Sequence, residues 1–148
     1  MPVIMPPEWA PQDWIGIGFP HLAEEWPGWL GPAQEQMAAF ASAVAESGQE
    51  VRLLVRDEAN EARARALASS KVTLERRTYG DVWLRDTAPI ITGTGAGRRA
   101  ADFAFNGWGG KYQASGDDRA TAAACAAGVF GPTQRQEVAM VLEGGSIE

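Results

Sequence analysis

Two carboxylates, a guanidinium and an indole fall within one short, otherwise apolar run, Asp81-Val82-Trp83-Leu84-Arg85-Asp86, set between Tyr79-Gly80 and Thr87-Ala88-Pro89-Ile90. Read as a strand, this run puts Asp81, Trp83 and Arg85 on one face and Val82, Leu84 and Asp86 on the other, because side chains alternate along an extended chain. Asp86 then emerges beside the apolar pair, where an unpaired carboxylate is costly to desolvate and needs either an internal or a bound cation. Pro89 cannot donate to a sheet, so it marks the end or edge of the strand and places Asp86 at a pocket rim. The plainer reading is a surface ion pair of Arg85 with Asp81 or Asp86, with Trp83 packed in a secondary core.

Other reactive side chains are few. Cys125 is the only thiol and lies in the alanine-rich stretch Thr121-Ala122-Ala123-Ala124-Cys125-Ala126-Ala127, with no adjacent base or cation to activate it. It reads as a buried helix cysteine. A single cysteine excludes an internal disulfide and a multi-thiolate metal site, and it fits a reducing compartment such as the cytoplasm. No metal and no cofactor are expected. His21 is the only imidazole and reads as a pocket-rim or packed residue. Trp108, within Asn106-Gly107-Trp108-Gly109-Gly110, either covers a ligand, since glycines let the backbone approach one, or folds inward to fill the loop.

The elements that must position these residues follow from periodicity and punctuation. Trp14 to Phe19 reads as a buried strand whose glycines admit a close neighbour. Pro32 opens a helix in which Met37, Phe40, Ala41 and Val44 recur at helical spacing, and Gly48 stops it. Glu50 to Val55 is a strand, Asp57 caps a helix running to about Ser69 with Glu61 and Arg65 one turn apart, and Val72 to Arg77 alternates as a strand. Thr87 to Thr92 pairs with Arg98 to Phe105 across a glycine-rich turn. Asp117 or Asp118 caps an alanine-rich helix that stops at Gly128, Glu137 to Leu142 is a further strand, and Ser146-Ile147-Glu148 begins another. The order is mixed α/β with a hairpin that an all-parallel sheet would not contain.

At 148 residues, with 45% hydrophobic and 22% charged residues, the chain has the composition of one soluble globular domain without an internal boundary. A formal net charge of -6 and the lack of clustered Lys and Arg argue against nucleic acid as a partner. The proline-rich start MPVIMPPEWAP lacks the layout of a signal peptide, and no apolar run is long enough to span a membrane.

With the motifs laid out, the chain resembles the agmatine deiminase and bacterial peptidylarginine deiminase family, within the guanidino-modifying superfamily. DVWLRDTAPI resembles the family's W-x-R-D-T-G-P, MPPEW its M-P-x-E-W, Phe19-Pro20-His21 its W-P-H, FNGWGGK its F-N-A-W-G-G-K, and LEGGSI its L-E-G-G-S-I, all in the family's order. The resemblance implies the N-terminal portion of such an enzyme: about two units of a five-unit pseudo-symmetric α/β propeller, the pentein-like fold. It implies a hydrolase that converts a guanidino substrate, agmatine or peptidyl arginine, to a ureido product and ammonia. Asp86 would hold the planar cation, Trp83 would lie against the substrate, Trp108 would cover it, and Glu143 would orient the catalytic histidine.

A guanidinium presents N–H donors in a rigid fork that one carboxylate accepts, in charge-assisted bonds roughly twice as strong as neutral ones. The family's H-x-D and its cysteine motif are absent from these residues, so the chain alone is expected to be inactive. Thr87-Ala88-Pro89 replaces T-G-P, and no asparagine precedes Asp81, which leaves the substrate open among agmatine, free arginine derivatives and peptidyl arginine. A propeller cut in this way exposes strand edges, so a complementary chain, the missing C-terminal half or a homo-oligomer is expected to cover them. The reading from a different class is a non-catalytic module in which Trp9, Trp26, Trp29 and Trp108 form a platform for sugars or quaternary amines.

Overall fold

The computed structural model describes residues 4–112 and 116–147, with the side chain of Asp118 outside the described set. The chain divides into two compact units, Gln12–Leu84 and Met1–Pro11 with Arg85–Glu148.

The first unit is a parallel sheet in the order β1-β2-β3, built from β1 (Ile15–Gly18), β2 (Val51–Val55) and β3 (Thr73–Arg76), with α1 (Leu30–Glu46) and α2 (Glu58–Leu67) as its crossovers. Ile17, Leu53 and Leu74 lie abreast in the pairing register and share one face. That face packs Ile17, Val51, Leu53 and Val55 against Ala38, Ala41 and Ala45 of α1 and Ala64 of α2 in one cluster, so both helices cover the same side. Alanine on the helices and branched residues on the strands let backbone layers approach without voids. α2 begins as its sequence requires: Asp57 accepts the Asn60 N–H at 2.9 Å, and Arg65 pairs with Glu61 at 2.6 Å. α1 ends at Gly48, which has φ +98°. The buried stripe of α1 is Gln34, Ala38, Ala41 and Ala45, whereas Phe40, expected on the apolar face, is 57% exposed.

The loop after β1 is pinned by buried polar groups. The Pro20 carbonyl accepts from Gln34 Nε2 (2.9 Å) and Asn60 Nδ2 (3.0 Å), and the Tyr79 hydroxyl, 1% exposed, donates to the Phe19 carbonyl at 2.5 Å. Burial pushes the Tyr79 phenol pKa well up, so it remains a hydrogen-bond donor.

In the second unit β5 (Arg99–Ala104) is central, antiparallel to β4 (Ile90–Thr92) and parallel to β6 (Gln134–Val141). The β4–β5 hairpin is the one expected from the glycine-rich turn, except that its first strand begins at Ile90 and not at Thr87, which lies in a helical turn. Ala120–Ala126 forms the alanine-rich helix, here α5, entered through a 3-10 turn at Asp117–Arg119. Its N-cap position is Arg119 with no side-chain cap bond, which corrects the expectation for Asp117; the alternative cap, the side chain of Asp118, lies outside the described residues. Residues 144–146 make a 3-10 turn where a strand was expected to start, and Glu148 lies outside the described residues. β6 is an edge of its sheet and is exposed along most of its length, with Met140 at 52% and Val141 at 50%.

Candidate functional site

Gly18 shares the face of its sheet opposite the helices, and a Cβ there would stand 3.0 Å from Val82 Cα. The close neighbour that Gly18 admits is thus the chain's own segment 82–84, whereas Gly16 faces the Trp14 ring. This segment is not a strand. Asp81 Oδ1 accepts the Val82 N–H at 2.6 Å, a local bond that competes with ladder formation, and Leu84–Thr87 closes one helical turn, α3. The strand alternation assigned to residues 81–86 is therefore corrected: helical geometry, not a pleat, aims Asp86.

Asp86 is half-buried, and its two oxygens are held separately. Oδ1 accepts the Gly145 N–H at 2.9 Å and Oδ2 accepts the Trp108 indole N–H at 3.3 Å. Both donors are neutral. Arg85, the adjacent cation, turns instead to Glu8 at 2.8 Å, so the expected pairing of Arg85 with Asp81 or Asp86 does not form. Asp86 is thus fixed in direction while its charge remains uncompensated by any cation among the described residues.

Trp108 belongs to Gly107–Gly110, here α4, a single left-handed turn in which Trp108 has φ 55° and ψ 56°. It is the only non-glycine with positive φ among the described residues. For an L residue this costs roughly 1–2 kcal/mol. Edge-on packing against Phe105 (4.9 Å) and Tyr112 (5.7 Å) offsets it, together with the bond to Asp86 and the Asn106 side chain accepting the Gly109 N–H at 2.8 Å. Gly107 has φ +68° and no room for a Cβ against the Tyr112 carbonyl. Trp108 folds inward onto its own loop and reaches Asp86, so it is not an open platform residue.

Glu143 ends the connection from β6 and opens the Gly144–Ser146 turn; its carbonyl accepts the Ser146 N–H at 2.9 Å and Ser146 Oγ at 2.7 Å. A Cβ on Gly144 would overlap the Arg85 carbonyl, and one on Gly145 would overlap Asp86 Oδ1. The glycine pair is therefore what lets this turn close on α3. Its role as a donor to Asp86 was not anticipated from sequence, although the L-E-G-G-S-I run marked the place.

Trp83 is 57% exposed at the end of the first unit, and Trp9 and Trp29 are 88% and 68% exposed. His21 packs edge-on against Tyr79 at 4.8 Å; burial, then Arg56, hold its pKa below the usual imidazole value. Cys125 is half-buried on α5, where burial, then Asp102, push its thiol pKa up, the reverse of an activated nucleophile. Asp102, 7% exposed on β5, is held by Arg135 at 2.6 Å. A concavity of about 500 Å3 beside α2 and β3 is lined by Glu58, Glu61, Arg65 and Arg76; Glu61 already binds both arginines, and none of these residues belongs to the Asp86 cluster. No group of three or more potential metal ligands occurs among the described residues.

A carboxylate aimed by neutral donors, with no cation on it among the described residues, is suited to a planar organic cation. Comparison with solved structures defines the class. The chain superposes on a cysteine-to-serine variant of a C. jejuni agmatine deiminase with substrate bound at a TM-score of 0.85, with 25% identity over 99% of this chain and 42% of that one. An Enterococcus faecalis agmatine deiminase gives a TM-score of 0.83 at 24% identity, over 97% of this chain and 40% of that one. The fold is accordingly of the pentein type, mixed α/β as the sequence implies. The chain belongs to the Porphyromonas-type peptidyl-arginine deiminase family, whose sequence profile matches residues 4–148. A Yersinia pseudotuberculosis protein provisionally called agmatine deiminase is 40% identical over 107 residues, which cover 72% of this chain and 29% of that protein. The Stutzerimonas stutzeri agmatine deiminase is 33% identical over 108 residues, with the same two shares of 72% and 29%. This chain thus spans well under half the length of the relatives it matches.

Proposed function

We propose that residues 1–148 form the cation-holding N-terminal part of a hydrolase that deiminates a guanidino substrate, agmatine or peptidyl arginine. Water oxygen replaces one guanidinium nitrogen, giving a ureido product and ammonia. The observation that carries this reading is Asp86, with each carboxylate oxygen steered by a neutral N–H and no cation on it among the described residues. In this assignment Asp86 accepts two guanidinium N–H groups and Trp83 lies against the substrate's carbon stem. Trp108 acts on the substrate chiefly through Asp86, which it positions, and Glu143 orients a histidine supplied by the remainder of the parent chain. The same remainder supplies the cysteine nucleophile and covers the β6 edge. The lone, unactivated Cys125 supports a reducing, cytoplasmic setting, and the net charge of -6 supports a partner that is neither nucleic acid nor an anionic membrane surface. No helix among the described residues is long and apolar enough to cross a membrane.

The test is ammonia release from agmatine and from a peptidyl-arginine substrate by the full-length parent protein, compared with Asp86→Asn. Loss of turnover with the fold intact supports the reading. Asp86→Asn retaining wild-type turnover, or a parent inert toward every guanidino compound while folded, refutes it. The tryptophan-platform reading loses Trp108, which is committed to its own loop and to Asp86.

A further inference from the structure

We infer, resting on the guanidino-holding assignment of Asp86, that Arg85 is a positioning residue: it couples the N-terminal arm, residues 4–8, to the 143–147 turn and so fixes the Gly145 N–H on that carboxylate. Arg85 meets the turn with its backbone, its stem and its guanidinium. A Cβ on Gly144 would overlap the Arg85 carbonyl, and one on Gly145 would lie 3.9 Å from Arg85 Cγ. Beyond these, one terminal guanidinium nitrogen donates both to the Ile147 carbonyl at 3.4 Å and to Glu8 Oε1 at 2.8 Å. The next residue, Asp86, accepts the Gly145 N–H of the same turn at 2.9 Å.

The arm is the other half of the hold. Glu8 meets Arg85 within α3, and the Ile4 carbonyl accepts the Gly93 N–H at 2.9 Å just past β4. Residues 4–8 therefore bridge both ends of the stretch 85–93 that carries Asp86. Between those two contacts lie Pro6 and Pro7. Their rings fix φ and press the residues before them into extended geometry, so the arm loses little conformational freedom in making both bonds. Arg85 and Glu8 are each more than half exposed, and an exposed ion pair adds little to global stability. What this pair sets is direction, because the cation it restrains also binds the turn that aims Asp86. The MPPEW run, which the cation-holding role leaves unused, thereby gains a part in the chemistry.

The test uses the full-length parent protein with agmatine and with a peptidyl-arginine substrate, and hydrogen exchange of the 143–147 turn in the same samples. Arg85→Met should raise KM roughly fivefold with kcat within about twofold, because the carboxylate that grips the cation is less well aimed while the reacting groups are untouched. Arg85→Lys keeps a cation for Glu8 and for the carbonyl, and should recover most of that loss. Glu8→Gln should raise KM roughly threefold alone and add nothing in Arg85→Met. Gly145→Ala/Arg85→Met should be no worse than Gly145→Ala, since both changes act through one donor. Arg63→Met, which breaks the comparably exposed Arg63–Glu35 pair, should leave KM unchanged. The turn's amides should exchange faster in Arg85→Met and at the wild-type rate in Arg85→Lys, with level melting midpoints.

Unaltered KM in Arg85→Met, unaltered exchange of the turn, or independent losses in the Gly145→Ala/Arg85→Met double variant each overturn the positioning role, while loss of turnover in Asp86→Asn still upholds the guanidino reading. A silent Asp86→Asn refutes that reading instead, and the exchange rates then decide on Arg85 alone. Faster exchange in Arg85→Met sustains its hold on the turn, and unaltered exchange overturns it.

Discussion

Gly145 and Asp86 meet across 59 residues of sequence: the glycine N–H donates to Asp86 Oδ1 at 2.9 Å, and any Cβ at position 145 would overlap that same oxygen. A backbone donor cannot be removed by a side-chain change, but it can be displaced. Gly145→Ala in the full-length parent protein should push the Asp86 carboxylate off its aim while leaving its charge and the surrounding core in place. A misplacement of about 1 Å at a group that positions substrate costs on the order of 100-fold in rate. We expect a fall of that order in kcat/KM for a guanidino substrate, with the thermal midpoint little changed. Ammonia release and a melting curve on the same sample check it; a large loss of stability with unaltered turnover per folded molecule would show that the glycine serves packing alone.

Trp108 contributes a second neutral donor to Asp86 and accepts a left-handed backbone to do so. Trp108→Phe keeps a ring against Phe105 and Tyr112 but removes the indole N–H. The expected result is roughly a tenfold rise in KM, about 1.4 kcal/mol, just below the ~1.5–3 kcal/mol of a hydrogen bond to a charged group, in keeping with the long 3.3 Å contact. Trp108→Gly instead relieves the backbone cost and loses the ring contacts, so it should loosen the 106–112 loop to proteolysis. If Trp108→Phe leaves KM unaltered, the indole is a packing residue and Asp86 is aimed by Gly145 alone.

Local chemistry was the part of this molecule that could be read without coordinates. The Asp57 cap, the Glu61–Arg65 pair and the stop at Gly48 each involve partners within a turn of one another, and each forms. The β4–β5 hairpin was legible for the same reason. Partners chosen over long separations were not. Arg85 selects Glu8, 77 residues away, over the acids beside it, and no spacing rule points there. The 81–86 run was misread as a strand because an apolar alternation also fits a bend followed by one helical turn, and Asp81 bonding to the next N–H tips the balance. Phe40 was misplaced because α1 buries alanines against branched strand residues, a small-to-large packing that hydrophobicity alone does not reveal.

Asp102 and Arg135 form a partly buried ion pair in the second unit. The carboxylate is buried, and both Arg135 Nε (2.7 Å) and a terminal guanidinium nitrogen (2.6 Å) donate to its Oδ2. Arg135→Met should leave that charge without its cation and destabilise the unit by roughly 1–3 kcal/mol, less than the 3–5 kcal/mol of a fully buried pair because Arg135 itself reaches solvent. The double variant Asp102→Asn/Arg135→Met should recover much of the loss. Urea midpoints of the four proteins form the cycle, and additive losses would show that the two side chains do not interact energetically.

His21 makes stability depend on pH in a direction that can be worked out. Its imidazole packs edge-on against Tyr79, and burial, then the Arg56 charge, hold its pKa below the ordinary value of about 6.5, against opposing contributions from Asp81, a hydrogen bond to the Phe19 backbone and Asp57. The unfolded chain therefore binds the proton more readily than the folded one. By linkage, stability is fully present above the unfolded pKa and is lost as pH falls from there through the lowered folded pKa, with a slope of less than one proton. The window from pH 7 to 5.5 isolates this group, since exposed carboxylates stay ionised there. His21→Phe keeps a ring on Tyr79 and removes the titration, so its urea midpoint should stay level across that window while the wild-type midpoint falls. Parallel slopes in the two proteins would assign the pH dependence to another group and leave His21 as packing alone.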